Sequence, residues 1–127
     1  MALALVVTRT KNRPLLLERA IVSVISQDYP NWKHIIVNDG GESQPVENLI
    51  EKYADAYKGR VQTIHNPSSV GMEAASNIGI RSVDSEFILI HDDDDSLAPE
   101  FLGRTVTYLE SPPYPTIQGV CTWANQI

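Results

Sequence analysis

FILIHDDDD, residues 87–95, joins an apolar run to an acidic one with a single histidine between them. Phe87, Ile88, Leu89 and Ile90 are unbroken in hydrophobicity, the pattern of a strand buried on both faces of a parallel sheet. Asp92, Asp93, Asp94 and Asp95 follow at once. Adjacent carboxylates repel, so gathering them at the end of a buried strand calls for a compensating cation. In open α/β sheets, ligands bind at that carboxyl edge. Residues two apart on an extended chain point the same way, which lets Asp92 and Asp94 share a hard, oxygen-seeking ion such as Mg²⁺ or Mn²⁺. The alternative is a solvated acidic turn, with Asp95 or Ser96 capping a helix that Pro99 opens. The apolar strand in front of the acids favours the metal.

Working outward, apolar and polar segments alternate. Residues 2–7 (ALALVV) predict a central strand, and TRTKNRP (8–14) a polar loop whose Pro14 suits the first turn of a helix. Leu17, Ala20, Ile21, Val24 and Ile25 recur at helical spacing within 15–27, and DYPN (28–31) stops that helix. KHIIVN (33–38) predicts a second strand, tipped by Asp39-Gly40-Gly41. A helix opening near Pro45 carries the stripe Val46, Leu49, Ile50, Tyr53, Ala54, Tyr57. A third strand is expected over 61–65 and a loop over 66–71. The helix expected over 72–83 is rich in small residues (Ala74, Ala75, Ser76, Gly79), as if close to backbone or ligand. After the strand at 87–90, a helix over 99–109 presents Leu102, Val106 and Leu109, and PPYP leads to a last strand over 117–123. His34 and His65 read as ordinary strand residues, and Cys121 as a small buried hydrophobe. Five strands alternating with four helices predict a three-layer α/β/α sandwich with a mainly parallel sheet and right-handed crossovers.

At 127 residues the chain is one domain, with 43% hydrophobic and 20% charged residues. A net charge of −6 argues against nucleic acid or an anionic membrane surface as the main partner. The same acidity means that a phosphate-bearing ligand needs a metal or local donors. One cysteine excludes an internal disulfide and fits a reducing, cytoplasmic setting. MALALVV lacks a cleavage signature, and no apolar stretch approaches the roughly 20 residues of a spanning helix. Membrane association is left to a longer protein. Because the chain stops just after its last expected strand, more protein is expected to follow.

Three blocks carry a resemblance. RTKNRPLLLERAIVSVISQDYPNWKHIIVNDGG (9–41), NPSSVGMEAASNIGI (66–80) and EFILIHDDDDSLAPEFL (86–102) resemble, in order and spacing, the family 2 glycosyltransferases. These are inverting enzymes with the GT-A fold. The resemblance implies that Thr10 lies near the nucleotide base and that Asp39 binds the base ring. It implies that Asp92, Asp94 and Asp95 take the D-x-D-D positions on Mn²⁺ or Mg²⁺, with Asp92 and Asp93 also on the nucleotide side. Gly71, Asn77 and Gly79 match the block that shapes the floor under the nucleotide. Asp39 could instead form a turn at a glycine bend, and Gly71 and Gly79 could serve packing alone.

The chain also departs from the family. Arg9 and Lys11 replace proline and tyrosine, which brings two cations toward the diphosphate. Ser76 stands where arginine is usual, with Arg81 one turn on as a substitute. His91 replaces an apolar residue and is expected only to support its neighbours. The family's catalytic base is a carboxylate in the second half of the domain, so it is expected beyond Ile127. Glu110 and the acids of the second helix are too far from the edge to be nominated. The implied function is transfer of sugar from a nucleotide-diphospho-sugar, first a UDP-sugar, to a glycan, lipid or protein acceptor in cell-surface polysaccharide biosynthesis. The 127 residues would be the donor-binding half, inactive alone and self-associating through Ile117, Val120 and Trp123. Nucleotidyl transfer would want a glycine-rich loop, and TRTKNRP has no glycine. A phospho-receiver domain would need acids where Thr8 and Arg9 stand. A nucleotide-binding or assembly module without turnover needs no base at all.

Overall fold

The structure is a computed structural model and describes residues 1–125. In chain order the elements are β1 (Ala4–Thr10), α1 (Pro14–Ile25), β2 (Trp32–Asp39), α2 (Ser43–Lys52), α3 (Ala54–Tyr57), β3 (Val61–Asn66), α4 (Met72–Arg81), β4 (Phe87–Asp92) and α5 (Phe101–Glu110). The four strands form one sheet in the order β3-β2-β1-β4, parallel at every pairing. The two most apolar strands, β1 and β2, take its centre. Side chains alternate across the sheet. Ala4, Val6, Trp32 and Ile36 therefore pack with Leu17, Ile21, Val24, Val46, Tyr57, Leu102 and Val106 of the helices on one face. Leu5, Val7, Ile35 and Val37 meet Ala75 and Ile80 of α4 on the other. Helices on both faces of a parallel sheet make the expected three layers.

The small residues of α4 have a mechanical reason. A Cβ on Gly79 would lie 2.5 Å from Val7 Cγ1 and 3.2 Å from Val37 Cγ2. The helix is therefore pressed onto the sheet, and at Gly79 the close neighbour is side-chain packing.

Several expectations need correction. The stripe from Val46 to Tyr57 spans two helices, because the chain breaks at Tyr53 between α2 and α3. There are thus five helices among the described residues. β4 is buried on one face only: Ile88 and Ile90 are 49% and 41% exposed, since β4 is a marginal strand and α4 lies over β1 and β2. No strand forms over 117–123, so the described residues hold four strands. That segment follows Pro112, Pro113 and Pro115 and joins no ladder; Trp123 is fully exposed and Cys121 is exposed, not buried. The sheet therefore has open edges at β3 and β4 among the described residues, and the exposed apolar side chains Ile88 and Ile90 belong to β4. Neither Asp95 nor Ser96 caps α5, whose first residue is Phe101 after Glu100.

Gly79→Ala is expected to destabilise the fold by about 1–3 kcal/mol, because α4 must lift from Val7. Gly119→Ala, which meets nothing within 4 Å, should change stability by less than about 0.5 kcal/mol. Urea denaturation of the two variants checks both.

Candidate functional site

The chain distributes its four adjacent acids in different directions. β4 pairs with β1 so that Asp92 stands opposite Arg9. The Arg9 guanidinium forms an ion pair with Asp92 Oδ1. Asp93 turns inward and is 1% exposed. Its Oδ2 accepts from Thr10 Oγ1 at 2.8 Å and from Arg13 Nε at 3.1 Å, while Arg13 Nη2 donates to Oδ1. Asp94 and Asp95 stay exposed, and the Asp95 amide closes a turn onto the Asp92 carbonyl at 3.1 Å.

This turn brings one carboxylate oxygen from each of Asp92, Asp94 and Asp95 within 4.8 Å of one another. An all-oxygen, all-anionic set suits Mg²⁺ or Mn²⁺ and not a soft metal. Arg9 Nε is buried without a hydrogen-bond partner, an N–H that an added acceptor at this edge could meet.

The loops after β1, β2 and β3 pack onto one another at the same edge. Asn12 is left-handed (φ 52°), and its Oδ1 accepts from the Glu42 amide at 2.8 Å. Asn38 Nδ2 donates to the Gly41 and Glu42 carbonyls, and its Oδ1 accepts from the Gly41 amide. At Gly40 (φ +87°) a Cβ would lie 2.5 Å from the Ser69 nitrogen, so only glycine lets these loops touch. A cleft of about 190 Å³ opens between the first two loops, lined by Thr10, Asn12, Arg13, Glu42, Pro45 and Val46 among others.

Asp39 organises the third loop. Oδ1 accepts from Asn66 Nδ2 (3.0 Å) and the Val70 amide (2.9 Å). Oδ2 accepts from Ser69 Oγ (2.9 Å) and the Gly71 amide (3.2 Å). That uses about all the acceptor sites a carboxylate has. Burial alone would raise its pKa, but these four hydrogen bonds together hold it below the ordinary value.

The structure thus gathers Arg9, Thr10, Asp92, Asp93, Asp94 and Asp95 at one place and sets Asp39 and Gly71 (φ +95°) beside the neighbouring loop. Asn77 is exposed on α4, and Gly79 faces the sheet. Lys11 is exposed. Sequence reasoning missed Arg13 and Asn12, although both stand in TRTKNRP, the loop it had already placed at this edge. It also undervalued His34, which is fully buried and bonded. A histidine within a strand otherwise heading for the core was the available signal.

The sequence pattern of the family described as Glycosyl transferase family 2 matches residues 5–126. The chain belongs to this family. It is 39% identical over 94 residues to WcaA of Escherichia coli (strain K12), provisionally named a colanic acid biosynthesis glycosyl transferase; the match covers 73% of this chain and 33% of that protein. It is 29% identical over 102 residues to the succinoglycan biosynthesis protein ExoW of Rhizobium meliloti (strain 1021), covering 79% and 31%. The chain therefore spans about a third of the length of these curated relatives. Among solved structures, Staphylococcus aureus TarS 1-349 in complex with UDP superposes with a TM-score of 0.75 at 21% identity, over 87% of this chain and 32% of that one. The mannosyltransferase PcManGT of Pyrobaculum calidifontis, in complex with GDP-Man and Mn²⁺, gives 0.75 at 21%, over 86% and 32%. These likenesses show the family's GT-A fold. Among the described residues no helix is long and apolar enough to cross a membrane.

Two outcomes are expected. Removing Asp93 leaves Arg13 unpaired, but the Arg13 side chain is half exposed. Asp93→Ala should therefore cost about 1–3 kcal/mol, the range for a lost hydrogen-bonding partner, and not the 3–5 kcal/mol of a fully buried pair. Chemical denaturation decides between these ranges. The folded pKa of Asp39 lies below its unfolded value, so its stabilising contribution is complete above the ordinary carboxylate pKa. It fades as pH falls through the lowered one. Relative to the intrinsic rate at each pH, protection of the Val70 and Gly71 amides should fall in that acid window, and at neutral pH in Asp39→Ala, while β1 and β2 stay protected.

Proposed function

We propose that this chain is the donor-binding part of a glycosyltransferase that takes a nucleotide-diphospho-sugar, with UDP as the nucleotide, and passes the sugar to an acceptor with inversion. The observation that carries this reading is the convergence of Asp92, Asp94 and Asp95 at the carboxyl edge of a family 2 chain. With a net charge of −6, the chain would repel a diphosphate unless a cation came between. Asp92, Asp94 and Asp95 would hold Mn²⁺ or Mg²⁺, which when bound neutralises the diphosphate and stabilises the leaving group. PcManGT was solved with Mn²⁺ and a nucleotide sugar, and TarS with UDP, which supports both ligands.

The chain's own residues prepare this edge. Arg9 holds Asp92 at the end of β4, and the Thr10–Asp93–Arg13 clamp fixes the loop after β1 to the acid turn. Asp39 would receive an N–H of the base, exchanging one of its side-chain partners, Asn66 or Ser69, for the ligand. Among the acids at this edge, Asp39 and Asp93 are taken up by hydrogen bonds and Asp92, Asp94 and Asp95 serve the cation, while Glu42 is exposed on the cleft wall. On the resemblance to the family, the acceptor's base is assigned to residues outside this chain, and the chain alone is not expected to transfer sugar. The names of WcaA and ExoW support a cell-surface polysaccharide as the product.

Calorimetric titration with UDP tests the proposal. Affinity should be at least about tenfold higher with Mn²⁺ than with EDTA, a difference of about 1.4 kcal/mol, and Asp94→Ala should erase the difference. Equal affinity under the two conditions would overturn the metal site. Sugar transfer by the isolated chain would overturn the assignment of the base.

A further inference from the structure

A line of buried polar groups crosses the sheet and ends on the acid turn. Tyr57 Oη lies 2.9 Å from His34 Nδ1, and His34 Nε2 lies 2.7 Å from Thr8 Oγ1. Thr8 Oγ1 lies 3.1 Å from His91 Nδ1, and His91 Nε2 lies 2.8 Å from the Asp95 carbonyl. Tyr57, His34 and Thr8 are fully buried and His91 is 2% exposed. Polar groups on core strands are costly there unless every one is partnered.

Both ends of the line dictate its direction. A carbonyl only accepts, so His91 Nε2 must carry a hydrogen. At the other end, the Tyr57 hydroxyl has no second partner among the described residues. Its hydrogen must go to His34 Nδ1 or remain buried and unmatched. His34 then donates from Nε2 to Thr8, Thr8 donates to His91 Nδ1, and His91 donates to Asp95. His34, Thr8 and His91 are each used once as donor and once as acceptor, Tyr57 only donates and the Asp95 carbonyl only accepts, so the two ends agree. Burial also favours neutral His34, whose pKa is pushed down to about 3.

We propose that Tyr57, His34, Thr8 and His91 form a one-way positioning relay that holds the Asp95 carbonyl, and with it the convergence of Asp92, Asp94 and Asp95. The inference rests on the cation-binding role proposed above. The three carboxylates repel, and a single backbone hydrogen bond, Asp95 to Asp92, closes their turn. Arg9 holds Asp92 and the Thr10–Arg13 clamp holds Asp93, but without His91 the Asp95 end of the turn would relax outward, and a cation would have to reassemble it. With His91 holding Asp95, that cost is met in folding and not in binding. All four relay side chains are buried, so they act through the turn and not on a ligand.

Three variants and two measurements test the relay. Thr8→Val keeps the shape and removes the hydroxyl that links the two histidines. His91→Leu removes the donor to Asp95, and His91→Gln supplies another N–H. With UDP present, Mn²⁺ affinity should fall on the order of fivefold in Thr8→Val and His91→Leu, the equivalent of one hydrogen bond, and recover in His91→Gln. Long-range ¹⁵N–¹H imidazole spectra of the unsubstituted chain should show both His34 and His91 protonated on Nε2. A proton on Nδ1 of either would overturn the direction. Folded Thr8→Val with unchanged Mn²⁺ affinity would overturn the coupling; if Thr8→Val does not fold, equal affinity in His91→Leu and His91→Gln would do so. If the unsubstituted chain binds no Mn²⁺, the cation role falls, and amide exchange at Asp95 decides the relay. Faster exchange in His91→Leu than in His91→Gln would sustain it, and equal exchange would end it.

Discussion

The burial of Asp93 between Thr10 and Arg13 is the interaction on which the carboxyl edge depends. Four consecutive acids cannot all face one way without large mutual repulsion. Turning one carboxylate inward, onto a bidentate arginine and a hydroxyl, removes a charge from the cluster. It also pins the acid turn to the loop after β1. Asp92 is then steadied by Arg9 from the neighbouring strand, and Asp94 and Asp95 are left to solvent. The arrangement pairs Asp92 and Asp93 with arginines and leaves the net negative charge of the turn at Asp94 and Asp95.

The remaining loops are held by amide and carboxylate side chains that satisfy backbone groups. Asn12 and Asp39 reach across to other loops, and Asn38 closes its own turn and meets His65 of β3, so the edge is a connected surface and not separate strand ends. Asp39 shows how one residue can be read in two ways. Its four hydrogen bonds make it the lock of the loop over 66–71, and the base N–H proposed to bind there would displace one of them, which would couple that binding to movement of the loop. The relay beneath adds a second layer of support, because its last donor reaches the acid turn from inside the core.

β4 is covered on one face only. It brings the acids to the edge through its pairing with β1, yet its outer edge is unpaired among the described residues, and Ile88 and Ile90 stand on the α4 side of the sheet beyond the strands that α4 covers. The same strand thus carries the acids and an uncovered face. Chain 111–125, where a strand was expected to flank the sheet, runs without ladder bonds and contributes no cover.

Apolar runs and helical spacing were enough for the central strands, the helices α1 and α5, and the layered α/β class. A buried face imposes its pattern on neighbouring residues, and that pattern is readable along the chain. The three blocks around Asp39, Gly71 and Asp92–Asp95 likewise marked the edge and the family. Sequence could not assign partners. Arg13 and Asp93 are separated by 80 positions, and Thr8 and His91 by 83. They meet only because the sheet order sets β4 beside β1 in one register. That order also decided which strand was marginal, and so turned an apolar run expected to be buried twice into one buried once. A strand's own residues specify that it is extended; its neighbours are chosen by the packing of the whole sheet. For this reason the acids were legible from the sequence, whereas their division into one buried, one paired and two exposed was decided by the tertiary structure.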